Sequence, residues 1–439
     1  QSRLWTAGYL ALAALVAACA LAPRRDQPDD RVVRQVERPA GLADRLRWVA
    51  LAAVPSSLLM GTTTHITTDI AAAPLLWVLP LGLYLLTFVL AFARSVRLPT
   101  MLILHLGTLC VVVAVVLWDI VISVYVSLPL HLALFFFLAL ACHGALAELR
   151  PAAAHLTGFY LLVSIGGVLG GIFNALVAPV LFDRVLEYPL AIACACLLRP
   201  RRAKGPVSLD LVLGGIAVAF AVAVHLGGGL HAMARAHYGL GDALILATAL
   251  MLLALSGRPR AFAAAVLALT MLPIIGAWEG RVLLAERSFF GVHRVVADPG
   301  SGVRALLHGT TNHGVQNPAE PRTPISYYAG EGPLAQALLS LRPDQRRRVA
   351  VTGLGAGGIA CHRRDGEDWD FYEIDPVVVR IARDSGLFTY LRDCAPEAGI
   401  ILGDARVMLG LAPAGRYGTI ILDAFSSDSI PVHLLTEEA

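Results

Sequence analysis

Polarity along the chain changes character once. From residue 5 to 279, long apolar stretches alternate with short polar loops. They match membrane spans at 5–22, 48–66, 72–93, 100–118, 121–147, 155–182, 186–198, 208–228, 240–256 and 261–279. A helix needs about 20 apolar residues to cross a bilayer, which makes 186–198 the marginal member. From 281 onward the apolar runs shorten and sit between clusters of Gly, Pro and Asp, the pattern of strands and turns. This divides the chain into a polytopic transmembrane region over 1–280 with about nine or ten helices, a small β-strand region over 281–340, and an α/β domain over 341–439.

Two patches interrupt the apolar pattern. Ser56, Ser57 and the segment Thr62–Asp69 place polar groups inside a span. Hydroxyls there can bond back to their own helix, but His65 and Asp69 are ionisable and costly at membrane depth. Four residues apart, they share one face of a continuous helix. They then line a cavity or pathway, or else mark a helix end in interfacial water. Gly166, Gly167, Gly170 and Gly171 have the small-residue spacing of close helix packing.

Hydrophobic residues make up 57% of the chain, and mean hydropathy is +0.68, well above an ordinary soluble domain. Residues 1–280 carry a formal +6 and 281–439 a formal −3. The overall +3 and the absence of a basic stripe interleaved with aromatics give no support to a nucleic-acid partner. With ten spans, the loops of one side hold 16 basic residues against Arg184 and Arg235 on the other. That positive-inside bias sets the domain after the tenth span away from the cytosol. Dropping 186–198 returns it to the side of the first loops and weakens the bias to 11 against 7. The segment Trp5–Ala22, with only Arg3 before it, reads as a span rather than a signal peptide. Seven cysteines are scattered; Cys361 and Cys394 have no partner motif, so neither a disulfide framework nor a zinc site is expected. Arg342, Arg346, Arg347 and Arg348 read as a solvated loop.

Within 341–439 one stretch organises the rest. Val349–Asp375 runs from a short apolar segment into Gly353-Leu354-Gly355-Ala356-Gly357-Gly358, then through Trp369–Ile374 to Glu373 and Asp375. This is the sequence form of strand, glycine turn, helix, strand and acidic tip. Glycines allow the backbone to approach a nucleotide-like ligand, and an acid about 20 residues on can accept from two ribose hydroxyls. Tight turns also need glycines for steric reasons alone, so the acid carries the argument. No GKS or GKT follows, which excludes a phosphate-binding loop of the Walker kind. Ile400–Ala405 and Thr419–Leu422 supply two more strands, ending at Asp404 and Asp423. The carboxyl ends of parallel strands line the ligand crevice, so Glu373, Asp404 and Asp423 should converge. Capping the next helix is the alternative role for each Asp.

These blocks, together with Gly309–Gln316 and Ser326-Tyr327-Tyr328, resemble the spermidine synthases, and in particular a membrane-fused, spermidine synthase-like branch. The resemblance covers roughly 286–439. It implies a doubly wound, Rossmann-like methyltransferase fold preceded by a small β-hairpin region. It also implies a place in polyamine biosynthesis: transfer of an aminopropyl group from decarboxylated S-adenosylmethionine to a small-molecule amine, without a metal. By position, Asp423 and Tyr327 would be catalytic. Gly353, Gly355, Gly357, Glu373, Asp375, Asp404 and Gln316 would hold the adenosyl donor, and Asp428 and Tyr328 would meet the acceptor. Supply of that donor favours the cytosolic side for the soluble domain of a multi-pass protein of a bacterial-type plasma membrane. Self-association into a homo-oligomer stays open. Such sheets have seven strands, so the back half is expected to lie beyond residue 439.

Two departures from the family pattern change the picture. Ala356 stands where the family carries an aspartate that helps hold the aminopropyl and amine ends. The usual Asp-Ser-Ser-Asp-Pro is replaced by Asp423-Ala424-Phe425-Ser426-Ser427-Asp428, which shifts the second carboxylate. The nucleoside half is intact and the amine half is altered. This leaves two alternatives: a methyltransferase using S-adenosylmethionine on a membrane-delivered substrate, or a transporter or sensor regulated by a nucleoside-binding domain.

Overall fold

A computed structural model describes residues 40–70, 75–93, 99–118, 122–227, 239–276, 282–309, 311–425 and 430–437. The expected span 5–22 and Asp428 lie outside these residues, as does the side chain of Asp69.

The described first half is helical: α1 (Leu42–His65), α2 (Val78–Phe92), α3 (Thr100–Val116), α4 (Val124–Glu148), α5 (Leu156–Ile172), α6 (Glu187–Leu197), α7 (Val207–Leu226), α8 (Leu240–Leu255) and α9 (Pro259–Gly276). Four helical stretches, Leu42–Thr68, Val124–Glu148, Ala153–Leu181 and Val207–Leu226, are long and apolar enough to cross a membrane. The marginal segment 186–198 forms α6, only 11 residues long, with Tyr188, Ala191, Ile192, Ala195 and Cys196 buried. It packs against α1 and α9; a helix enclosed by others need not match the bilayer thickness.

Of the four glycines at 166, 167, 170 and 171 on α5, one pair is used for packing. A Cβ on Gly166 would lie 2.5 Å from the carbonyl of Val49, and one on Gly170 2.2 Å from that of Ala53, whereas Gly167 and Gly171 meet nothing within 4 Å. The regular α-helix on which a shared face of His65 and Asp69 depends does not continue through this segment. Helix α1 ends at His65 and the chain widens into a π-helical turn over Ile66–Ile70, which changes the angular step between the two residues.

The second half holds two sheets. Strands β1 (Val282–Arg287), β2 (Val292–Ala297), β3 (Arg304–His308) and β4 (Thr311–Gln316) form an antiparallel meander. The hydrophobic pattern locates the last three. It misses β1 because Val282–Arg287 does not alternate in burial. Strands β5 (Arg348–Thr352), β6 (Asp368–Glu373), β7 (Gly399–Leu402) and β8 (Thr419–Leu422) form a parallel sheet in the order β7-β6-β5-β8. On one face Val349, Val351, Trp369 and Phe371 pack with Ile359 and Leu391; on the other Ala350 and Tyr372 meet Ala405 and Leu434. The chain reverses direction across the sheet at β5, and open parallel sheets bind ligands at the carboxyl ends of strands beside such a switch.

Three local expectations are corrected. The helix expected after the glycine turn is a single 3-10 turn, Gly358–His362, because the chain reverses at Gly366 (φ 84°) to begin β6. That turn packs against the short helix Tyr390–Cys394 and brings Cys361 and Cys394 into a disulfide, Cα atoms 4.8 Å apart. Their sequence separation of 33 concealed the pairing. Arg346 is buried rather than solvated: its guanidinium donates to Glu367 at 2.5 Å, to the Leu338 carbonyl at 2.6 Å and to the His362 carbonyl at 2.8 Å. Arg342, Arg347 and Arg348 are exposed as expected.

The helical half and the sheets are tied by a buried ion pair. Arg287, on β1, donates to both oxygens of Glu187 at 2.7 and 3.2 Å and to the carbonyl of Arg184 at 2.6 Å.

Candidate active site

Strand-end residues of the parallel sheet face the antiparallel meander across a cavity of about 690 Å3. Its shape begins at the glycine turn. Gly353 has φ 87°, and a Cβ there would lie 2.6 Å from the Asp423 carbonyl; Gly355 has φ 53°, and a Cβ there would lie 2.3 Å from the His313 carbonyl. Only glycine tolerates both the left-handed backbone and that approach. The turn is thereby clamped between the end of β8 and strand β4.

Glu373 ends β6 at the floor of this cavity. One carboxylate oxygen accepts from the Leu354 N–H at 2.9 Å and the other from the Asp375 N–H at 2.9 Å. Burial raises its pKa, the two backbone N–H groups opposing. Each oxygen keeps a further lone pair, so the acid both braces the glycine turn and can accept from a ligand. Asp404, after β7, caps the helix Ala405–Gly410 through the Val407 N–H at 3.2 Å and lies 3.1 Å from His433 Nε2. Capping and cavity lining thus coexist in one side chain.

Asp423 follows β8 and accepts a short hydrogen bond from the hydroxyl of Tyr328. Burial raises its pKa to about 6, while the Tyr328 hydrogen bond pulls it down. The tyrosines exchange their expected positions. Tyr328 is buried on the carboxylate, whereas Tyr327 is partly exposed, lies tilted against it with ring centroids 4.3 Å apart, and donates to the Asn312 carbonyl at 3.3 Å. The reason is local: Ser326 has φ 62°, and the turn Ser326–Tyr328 directs the second ring inward. Burial and the Asp423 charge raise the Tyr327 pKa to about 12.

Two expected donor-binding residues are otherwise engaged. Gln316 is buried outside the cavity lining, with its oxygen accepting from the Thr389 N–H at 2.9 Å and its amide donating to Pro321 and Thr389. Asp375 borders the cavity but is committed to the fold. It accepts from the Val377 N–H, from Ser288 Oγ at 2.5 Å and from His293 Nε2 at 2.8 Å. Burial acts to raise its pKa, but the bonds from His293 and Ser288 prevail and lower it.

Ala356 is fully buried with Val295, Leu306 and Phe388. A Cβ on Gly314 would come within 2.5 Å of its methyl group, so this position offers no room for an acidic side chain turned into the cavity.

Sequence reasoning gave no role to His293, His308 or Asn312, all of which line the cavity. His293 and His308 are register partners across β2 and β3, with rings 5.3 Å apart. The spacing of two that puts His293 on the same face of β2 as the buried Val295 was the available signal.

No family model matches the chain. Over 110 residues it is 34% identical to the polyamine aminopropyltransferase of Vibrio vulnificus (strain CMCP6), a match covering 24% of this chain and 34% of that protein. The chain therefore spans about a third of that relative's length. This partial similarity indicates a spermidine synthase-like relationship.

Proposed function

We propose that this protein is a membrane-embedded transferase that binds decarboxylated S-adenosylmethionine on a Rossmann-like domain and moves its aminopropyl group to an amine. The observation that carries the reading is the pairing of Asp423 with Tyr328 at the end of β8, in the same cavity as the strand-end acids Glu373 and Asp404. A cavity of about 690 Å3 suits an enclosed nucleoside, since small-molecule sites fall at about 300–1,000 Å3.

The adenosyl donor supplies a carbon activated by an adjacent sulfonium. In the transfer a nitrogen–carbon bond forms, the carbon–sulfur bond breaks, and its electron pair returns to sulfur. The chain's own residues do the rest. Glu373 and the backbone of the glycine turn hold the ribose, and Asp404 the edge of the base. The Asp423 carboxylate accepts the proton that leaves the attacking amine, and its negative charge favours a cationic reacting centre. Tyr328 fixes the orientation of that carboxylate.

Methyl transfer is the second reading. It is favoured by Ala356, where burial leaves no place for the acid that the related pattern uses at the amine end. Calorimetry on the full chain with S-adenosylmethionine, its decarboxylated form and methylthioadenosine tests both. Preference for the decarboxylated donor supports aminopropyl transfer, preference for the carboxylated one supports methyl transfer, and binding of none removes the transferase reading.

A further inference from the structure

A second cavity, of about 950 Å3, opens between the helices and the antiparallel meander. Phe290 and His308 line both this cavity and the reaction cavity, so the two adjoin across these side chains. At its membrane end lie His65, Trp118, His131 and Tyr188, with Leu117 and Leu130. The rings form one cluster: His65 is 4.5 Å from His131 and 5.0 Å from Tyr188, and Tyr188 donates to or accepts from His131 Nδ1 at 2.7 Å. Two π-helical turns, Ile66–Ile70 and Phe173–Val177, contribute Thr68 and Asn174 to its wall. Such turns widen a helix and recur at functional sites. Asn174 is 8% exposed, and its Oδ1 has no hydrogen-bond partner although its amide donates to Ser57 and Gly170. The other end is charged: among the described residues it is lined by Arg184, Arg287, Arg294 and Glu187, with Arg287 paired to Glu187 and Arg184 to Asp183. Arg294 donates to the Gly309 carbonyl at 2.9 Å, next to the shared His308.

From this layout we infer that the second cavity is the acceptor site and that the acceptor is an aminophospholipid. Its apolar chains would lie at the membrane end, its phosphate beside Arg294, and its primary amine past Phe290 and His308 toward Asp423. Two features disfavour a bare polyamine: the apolar lining has no use in binding one, and the cavity lies among the membrane helices, with the one lining carboxylate among the described residues, Glu187, already paired to Arg287. The inference rests on the transferase reading for its chemistry: the lipid nitrogen forms the new carbon–nitrogen bond, the sulfonium carbon–sulfur bond breaks toward sulfur, and Asp423 takes the nitrogen's proton. The assignment of the cavity rests on the lining alone.

The test uses the full chain in phosphatidylcholine nanodiscs containing phosphatidylethanolamine with a photoreactive acyl chain. Crosslinks should map to Thr64–Thr68, Trp118 and Leu130. Arg294→Gln should reduce them about tenfold, the worth of one charge-assisted contact, and Leu130→Trp should block them by filling the apolar end. Nucleoside affinity should be unchanged in both variants, which reports that they fold. Photoreactive phosphatidylglycerol, which lacks the amine, should crosslink but not be converted. Glycerophosphoethanolamine, the head without its chains, should compete poorly. Absence of crosslinks in the cavity, or equal competition by the soluble head, overturns the lipid assignment even where a soluble diamine is turned over. Cavity crosslinks without transfer to any amine overturn the transferase reading and leave the lipid site standing.

Discussion

The hydroxyl of Tyr328 donates to the carboxylate of Asp423 from 95 positions away in sequence. This bond joins the turn before the parallel sheet to the end of its last described strand. It also decides which of two adjacent tyrosines meets the carboxylate, and it sets two opposing influences on one acid: burial raises the Asp423 pKa to about 6, and the phenol restrains the rise.

Replacing Asp423 by Asn keeps the shape and removes the base. Turnover should fall by about 10²–10⁴, the usual worth of a general base, with donor affinity little changed. In the parent, kcat/KM should rise as pH passes about 6, because the ionised form takes the proton; that limb should vanish in the variant. Stability follows the opposite sign. An acid whose pKa is raised by folding favours the fold most below its ordinary 3.8 and loses that contribution as pH rises through about 6. The Asn variant should therefore melt no lower than the parent at pH 8. A large drop there would mean that Asp423 is a structural cap.

Tyr328→Phe removes the group that holds the Asp423 pKa down. The acid limb of the rate profile should move to higher pH by about one unit, a typical effect of one hydrogen bond to a buried carboxylate. Tyr327→Phe should leave the limb in place, since its hydroxyl is directed at the Asn312 carbonyl. Identical profiles for the two variants would sink the assignment.

Glu373→Ala should weaken nucleoside binding by about 2–4 kcal/mol, the loss of two buried acceptor bonds. Calorimetry reads this directly, and unchanged affinity would falsify the donor site.

The donor is made in the cytosol, so the transferase reading requires the soluble domain on that face. A cysteine at Asp298 should label from the same side as one in loop 94–99. Disulfides are rare in the cytosol, so the Cys361–Cys394 pair is a second readout: alkylation of both thiols in intact cells goes with the cytosolic face. Labelling of position 298 from the opposite face, with the pair already bridged in cells, would remove a cytosolic donor from consideration.

Much of this protein follows from local pattern. Apolar runs of span length and strand-length runs between turn residues are properties of short segments, so the helical half, the four parallel strands and their acidic tips are legible before folding. The glycine turn is likewise legible as a pattern, although the neighbours that forbid a side chain at Gly353 and Gly355, the carbonyls of Asp423 and His313, are distant in sequence. What tertiary structure decided are the relations between distant segments. It set the π turn that follows His65, the burial of Arg346 on Glu367, and the bridge between Cys361 and Cys394. It also withdrew Gln316 onto Thr389 and Asp375 onto His293, and it gave Asp423 to Tyr328 rather than Tyr327. A side chain's partner depends on which surfaces meet across the core, and no spacing along the chain encodes that meeting. The adjoining cavities that share Phe290 and His308 belong to the same class: the walls of the second run from Met60 to Gly309, and only packing makes such distant segments neighbours.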